Sequence, residues 1–273
     1  LALLGPPLTR VFYSDDGSTA VEAALKMAVQ YWQLAGQPRR RRFVALRHGY
    51  HGDTIGAMSV GDLSPFTTPF ADLLFDVARA HSPYCARCPL GLSRPSCRIA
   101  CLADLDDRLA ALGDTVAAVL VEPMLQAAGG MIVWPREFLV GVRDLCTRHG
   151  TLLIADEVMT GFGRTGRMFA CAHGPIEPDI VCLSKALTAG YLPLGATICT
   201  ERIYEAFLRP DRDKAFLHGH SYTANPLACA VALASLDLFE TGRVLDRVVA
   251  LEALFRERLE PLRALAAVAD VRV

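Results

Sequence analysis

Residues 152–166 read LLIADEVMTGFGRTG and show how this chain is built. An apolar run with strand character ends at two carboxylates, Asp156 and Glu157, and glycines, threonines and an arginine follow at once. Because a buried carboxylate is costly unless a positive charge meets it, the sequence predicts a functional site at this strand end, with a cation close to the acids.

Further short apolar runs have the same character, and longer amphipathic segments separate them. The runs are FVAL at 43–46, VAAVLVE at 116–122, DIVCLS at 179–184 and GATICT at 195–200, and helical patterns cover 18–36 and 136–150. Strands that are apolar on both faces and separated by helices are typical of βαβ units. The sequence therefore predicts an α/β fold with a mostly parallel central sheet flanked by helices.

The domain organisation follows from the same pattern. We expect one large domain over residues 1–240 and, over 241–273, a helical lead into a small C-terminal domain. The sequence begins LALLGPPLTR without a methionine and ends at the strand-like VADVRV, so we expect a chain truncated at both ends.

Composition excludes several classes of function. The 28 Lys and Arg residues against 29 Asp and Glu residues give a net charge of -1, which does not favour a nucleic-acid partner. No uninterrupted apolar stretch reaches the roughly 18 residues of a membrane span. Nine cysteines without a secretory leader pattern indicate reduced, mostly buried thiols, and therefore a cytoplasmic location.

Ligands of parallel sheets bind beyond the carboxyl ends of the strands, which places Glu122, Asp156 and Ser184 with Lys185 on one rim. A lone lysine after a strand usually stays charged at the surface. Facing Asp156 in a crevice, Lys185 can instead be the amine that forms a Schiff base with a carbonyl cofactor.

Pyridoxal 5'-phosphate (PLP) is such a cofactor, and each of its needs has a candidate. Lys185 supplies the amine and Asp156 the anion for the ring nitrogen. Tyr50 can lie over the ring, and Val158, on the same side of the chain as Asp156, can pack beneath it. Residues 15–18, Asp-Asp-Gly-Ser, precede a helical pattern whose free N–H groups can hold the phosphate. Taken singly, each residue also fits an ordinary cap or core contact, so the prediction depends on their combination.

Six ordered motifs carry a resemblance to a known family. They are DDGSTAVEAALKMA (15–28), GYHGDTIGAMS (49–59), EPMLQAAGGM (122–131), LLIADEVMTGFGRTG (152–166), LSKALTAGYLPLGA (183–196) and HGHSYTANPLACAVALAS (218–235). Together they resemble the class III PLP-dependent aminotransferases, and within that family the branch that acts in biotin biosynthesis. The resemblance implies PLP-dependent transferase fold type I and a homodimer with active sites at the subunit interface.

The resemblance also implies roles for single residues. Lys185 would carry the PLP and act as the catalytic base and acid, and Asp156 would pair with the pyridine nitrogen. Gly17 and Ser18 would hold the phosphate, and Ser221, where the family usually has threonine, would reach the phosphate of the neighbouring subunit's cofactor.

Other positions are less well defined by the resemblance. Gln126 and Arg164 match positions near the substrate. Met159 replaces the glutamine that ornithine-, acetylornithine- and GABA-type relatives usually carry, which favours the biotin branch. Ala127 and Ala224 replace usual glycines, and the extra methyl group is either tolerated in the turn or costs about 1 kcal/mol, and more where φ is positive.

The implied reaction is a ping-pong transamination of 8-amino-7-oxononanoate to 7,8-diaminononanoate, with S-adenosylmethionine or lysine as amino donor. One alternative is a broader class III ω-amino acid:keto acid aminotransferase. Another class of function is a non-catalytic metal- or thiol-binding module, in which Lys185 and Asp156 form only an ion pair. That alternative comes from four clustered cysteines, Cys85, Cys88, Cys97 and Cys101. Their C-x2-C-x8-C-x3-C spacing matches that of a zinc site only in part. We therefore expect packed or surface thiols there rather than a metal.

Overall fold

The computed structural model describes residues 1–273, apart from the side chain of Asp213. The strands are β1 (Leu8–Ser14), β2 (Arg42–Leu46), β3 (Ala78–Ala80), β4 (Val116–Val121), β5 (Leu125–Gln126), β6 (Ile132–Val133), β7 (Leu152–Asp156), β8 (Ile180–Leu183) and β9 (Gly195–Thr200). The α-helices are α1 (Gly17–Leu34), α2 (Ile55–Val60), α3 (Ser64–Thr67), α4 (Cys101–Leu112), α5 (Arg136–Arg148), α6 (Glu201–Phe207), α7 (Pro226–Thr241) and α8 (Val244–Leu259).

The central sheet has the strand order β1-β9-β8-β7-β4-β2-β3. From β8 to β3 all neighbours are parallel, whereas β9 runs antiparallel to both β8 and β1. The predicted mostly parallel sheet flanked by helices is therefore confirmed. The strands β5 and β6 form a separate antiparallel pair after β4.

Side chains of the central strands alternate between two apolar layers. Leu152 and Ile154 of β7 pack with buried residues of α1, whereas Leu153 and Ala155 pack with buried residues of α4, α5 and α7. Because side chains of a strand point to opposite faces in turn, a sheet covered on both faces requires apolar residues throughout. This burial explains why the strand sequences read as continuous apolar runs.

The chain after α7 differs from the sheet domain. Within residues 241–273, all of which the structure describes, no side chain is buried. The division into a large domain over 1–240 and a helical lead over 241–273 stays a prediction. Among the described residues, no helix combines the length and apolarity needed to cross a membrane.

Candidate active site

A cavity of about 740 Å³ lies where β4, β7 and β8 end. It brings together most of the residues expected at a cofactor site. The lining includes Asp15, Asp16, Gly17, Ser18, Tyr50, His51, Gly52, Glu122, Ala127, Ala128, Asp156, Val158, Met159, Ser184 and Lys185.

Asp156 is held by a histidine at the end of β7. Nδ1 of His51 lies 2.7 Å from Oδ2 of Asp156, and both side chains are buried. The backbone N–H of Val158 donates to the other carboxylate oxygen at 3.1 Å. Since an ionised carboxylate only accepts hydrogen bonds, His51 donates through Nδ1. The sequence predicted a cation here and did not identify His51, which stands next to Tyr50 in the GYHGDT motif.

Glu157, the second acid of the strand end, has no cation among its hydrogen-bond partners. Its carboxylate accepts from the Thr160 hydroxyl at 2.7 Å and from the backbone N–H groups of Ala170 and Cys171 at 2.9 and 2.8 Å. Burial raises the pKa of Glu157, and these donors oppose that rise. The side chain does not line the cavity. Its bonds to Thr160, Ala170 and Cys171 instead hold the loop that follows β7.

Glu122 follows β4 directly and connects two segments of the cavity wall. Its carboxylate accepts from the backbone N–H of Tyr50 at 3.0 Å and from that of Ala127 at 3.1 Å. Burial raises the pKa of Glu122 to about 7, with His51 lowering it and Asp156 raising it. The sequence placed Glu122 on the rim but assigned it no role.

The start of α1 forms an anion-binding corner of the cavity. Asp16 caps the helix by accepting from the N–H of Thr19 at 2.8 Å. The N–H groups of Gly17 and Ser18 have no partner within the helix and carry the positive end of its dipole. This arrangement suits a phosphate group.

Two glycines allow close packing at this corner. A Cβ atom on Gly17 would lie 2.7 Å from Cγ1 of Val158. A Cβ atom on Gly52, whose φ is +127°, would lie 2.2 Å from Oγ of Ser18. The N–H of Asp53 in turn donates to Oγ of Ser18 at 3.3 Å. Val158 and the GYHGDT segment therefore approach the helix start closely only because Gly17 and Gly52, respectively, carry no side chain.

Tyr50 is half-buried in the cavity wall. Burial and a hydrogen bond with Asp53 raise the pKa of Tyr50 to about 12. The phenol is therefore neutral at physiological pH. Its ring centroid lies 5.7 Å from that of Phe66, which helps to fix the ring in the wall.

Lys185 occupies an unusual backbone conformation directly after β8. Its φ is +45°, a region that costs a non-glycine residue roughly 1–2 kcal/mol. The hydroxyl of the preceding Ser184 donates to the carbonyl of Leu194 at 2.8 Å and anchors the turn. Strain of this kind persists where the surrounding structure enforces it, and here it presents the lysine in the cavity.

Three residues expected near the site lie outside the cavity lining. Ser221 is exposed, and its expected contact with a neighbouring subunit stays a prediction. Gln126 is buried, and its amide binds Ser82, Trp134 Nε1 at 3.2 Å and the Arg47 carbonyl at 2.9 Å. Arg164 is exposed and lines a separate groove beside α8. The substrate roles of Gln126 and Arg164 also stay predictions, and Gln126 has its amide committed to the wall behind the site.

The four clustered cysteines line a separate small cavity of about 20 Å³. Among the side chains that the structure describes, no three of the metal-binding types are arranged around a common point for a metal ion. Burial raises the pKa of Cys101 to about 11, which favours the thiol over the metal-binding thiolate. The metal- or thiol-binding module is therefore not favoured.

A strained lysine, a buried carboxylate and a helix N-terminus around one cavity are the groups that a PLP site on an α/β fold requires. The chain belongs to the class III aminotransferase family, whose model matches residues 2–273. The resemblance read from the motifs is confirmed.

Relatives and solved structures agree with this membership. The chain is 52% identical to the adenosylmethionine-8-amino-7-oxononanoate aminotransferase of Geobacter sulfurreducens, covering 100% of this chain and 61% of the relative. Its fold is similar to that of a PLP-bound amine transaminase from an uncultivated Pseudomonas species, with a TM-score of 0.93, 42% identity and coverage of 97% and 61% of the two chains. The Methanocaldococcus jannaschii adenosylmethionine-8-amino-7-oxononanoate aminotransferase gives a TM-score of 0.89, 41% identity and coverage of 97% and 59%. This chain thus spans about three fifths of their length.

Proposed function

We propose that this chain is the cofactor-binding part of an aminotransferase that converts 8-amino-7-oxononanoate to 7,8-diaminononanoate in biotin synthesis. The observation that carries the proposal is the meeting of Lys185 and Asp156 in one cavity beyond the parallel strands. The substrate is supported by relatives of 40–53% identity that bear this activity in their names.

PLP fits the residues of the cavity. Gly17 and Ser18 at the helix start line the cavity and can receive a phosphate, and the carboxylate of Asp156 lies at the strand end where a pyridinium nitrogen would need it. Lys185 would hold the aldehyde, and Gly17 and Ser18 the phosphate. Tyr50 and Val158 would contact the two faces of the ring.

PLP, when bound, supplies an electron sink for the carbanion at the donor's reacting carbon. The amine of Lys185, once free, takes the proton from that carbon as general base and returns a proton as general acid. The carboxylate of Asp156 would face the ring nitrogen, and His51 keeps that carboxylate oriented by donating through Nδ1. The acceptor half-reaction uses the same groups in the reverse order.

The working unit in this proposal is a homodimer in the cytoplasm. Large apolar side chains are exposed along residues 217–238: Leu217, Tyr222, Leu227, Leu233 and Leu238. A second copy would cover them and bring its Ser221 to the phosphate. Light scattering should therefore give twice the monomer mass, and Leu233→Asp should lower that mass.

Single-turnover spectroscopy tests the function. The PLP-loaded protein is mixed separately with S-adenosylmethionine and with lysine, and the visible cofactor band is followed before 8-amino-7-oxononanoate is added. Loss of the band with one donor and its return with the acceptor would support the proposal and identify the donor. Turnover only of small diamines or β-amino acids with pyruvate would favour the broader ω-amino acid:keto acid aminotransferase instead.

A further inference from the structure

We infer that Glu122 is a positioning residue whose ionised carboxylate ties together two segments of the cavity wall. One segment carries Tyr50 and the other carries Ala127 and Ala128. The inference rests on the proposed function, because it assigns Glu122 a part in holding the walls around PLP.

The geometry gives each carboxylate oxygen its own wall segment. The N–H of Tyr50, 72 residues away in sequence, donates to Oε1 at 3.0 Å. The N–H of Ala127, five residues away, donates to Oε2 at 3.1 Å. The Glu122 side chain is buried, with the residue only 4% exposed, so water cannot readily replace either bond.

Only the ionised side chain satisfies both donors fully. A carboxylate accepts on both oxygens, whereas a protonated acid uses one oxygen to carry its proton, and a glutamine amide has a nitrogen that does not accept. Protonation and Glu122→Gln therefore weaken the same connection. The two states should resemble each other in how they bind the cofactor.

Charged groups around Glu122 favour opposite protonation states. His51, on the same segment as Tyr50, favours the ionised carboxylate, and Asp156, at the end of β7, disfavours it. Lys185 lines the same cavity. A cationic pyridinium opposite Asp156 would add a further positive charge, which stabilises the ionised form of Glu122. Cofactor binding and ionisation of Glu122 should therefore support each other.

Glu157 provides a matched control. It is a fully buried glutamate that follows the neighbouring strand, and it also accepts two backbone N–H bonds. Unlike Glu122, it does not line the cavity. Glu157→Gln thus makes the same chemical change in a similar environment, away from the cofactor.

The first experiment measures the Kd of PLP by equilibrium dialysis between pH 6 and 8.5 for the wild-type chain, Glu122→Gln and Glu157→Gln. At pH 8 we expect Glu122→Gln to raise the Kd roughly tenfold, the factor typical of one lost hydrogen bond to a charged group. The ratio of variant to wild-type Kd should shrink toward pH 6, where the wild-type carboxylate also becomes protonated. Glu157→Gln should lower the melting temperature and change the Kd by less than about twofold.

A second measurement needs no variant and protects the test against misfolding. Amide hydrogen exchange of the wild-type chain gives protection factors for the N–H groups of Tyr50 and Ala127 at pH 8 and pH 6. Local openings that break these two bonds while Glu122 stays buried become easier once the carboxylate is protonated, so both protection factors should fall at the lower pH. The N–H of Trp134, which bonds the Met124 carbonyl, should not change.

Two results would overturn the inference: an unchanged PLP affinity in Glu122→Gln at every pH, or protection factors of Tyr50 and Ala127 that do not depend on pH. A chain that binds PLP as described but reacts with no amino donor would instead contradict the proposed function alone. The two failures are therefore distinguishable.

Discussion

The imidazole of His51 and the carboxylate of Asp156, 105 residues apart in sequence, meet at 2.7 Å in a buried position at the end of β7. This contact explains how the strand can end in an acid inside the fold. It also fixes the direction in which the carboxylate points, because Val158 N–H holds the second oxygen. The cofactor site therefore depends on a pair formed between a loop and a strand.

Replacing His51 by alanine should destabilise the chain by about 1–3 kcal/mol, because Asp156 loses a donor that buried water cannot easily replace. Chemical denaturation gives the free energy of unfolding. His149→Ala is the control, since His149 forms a more exposed pair with Asp106 at 2.6 Å. That pair should contribute less than about 1 kcal/mol. Equal losses of unfolding free energy in the two variants would show that the buried pair stabilises the chain no more than the exposed pair does.

Gly17→Ala should weaken PLP binding by steric displacement of the helix start. The new methyl group would lie 2.7 Å from Cγ1 of Val158, which is too close for unstrained packing. Fluorescence titration with PLP measures the loss, for which we expect roughly tenfold or more. The double variant Gly17→Ala/Val158→Ala removes the clash and should recover part of the affinity. If the second substitution lowers affinity further, the clash is not the cause.

The raised pKa of Glu122 gives a pH dependence of stability with a definite sign. Its folded-state pKa of about 7 lies above the ordinary glutamate pKa of 4.5, so the folded chain binds this proton more tightly than the unfolded chain. The unfolding free energy should therefore fall as pH rises from about 4.5 to 7 and stay level above.

Glu122→Gln should remove this dependence. From pH 5 to pH 8 the stability of the variant relative to wild type should rise by about 3 kcal/mol, measured by urea denaturation. Glu201→Gln is a control of opposite sign, because hydrogen bonds from Thr9 and Arg10 lower the pKa of that half-buried glutamate. A relative stability of Glu122→Gln that does not change with pH would contradict the assignment.

Ala224→Gly should stabilise the chain. Ala224 has a φ of +54°, where alanine is strained and glycine is not. Relief of roughly 1–2 kcal/mol exceeds the extra entropy that glycine gives the unfolded chain, leaving a gain of about 0.5–1 kcal/mol. Ala215→Gly, at a φ of -66°, should instead lower stability. Thermal unfolding of both variants checks the difference, and equal shifts would exclude relief of strain at residue 224.

The sequence predicted the positions of strands and helices that depend on local patterns of apolar residues. The strand over 195–200 matches β9, and the helix expected over 136–150 is α5. Apolar runs identify doubly covered strands, but strand direction depends on the connection. The sequence did not show that β9 is antiparallel to β8.

The sequence predicted which chain segments form the candidate site, but not which groups donate hydrogen bonds to its acids. Asp156, Lys185 and Gly17 meet because strand and helix ends gather at one edge of the sheet. The donors that satisfy the acids come from distant segments, so the sequence suggested a cation where the structure has His51 and, for Glu157, neutral N–H and hydroxyl groups. Ala224 was identified as a departure, and its positive φ needed the structure.

Attachment of the cofactor to one lysine tests the central claim most directly. The chain has three lysines, Lys26, Lys185 and Lys214, so reduction of the PLP-loaded protein with borohydride followed by peptide mass spectrometry separates the possibilities. We predict the reduced cofactor on Lys185, and in Lys185→Ala neither the adduct nor transamination. A stoichiometric adduct on Lys26 or Lys214, or full transamination by Lys185→Ala, would contradict the account.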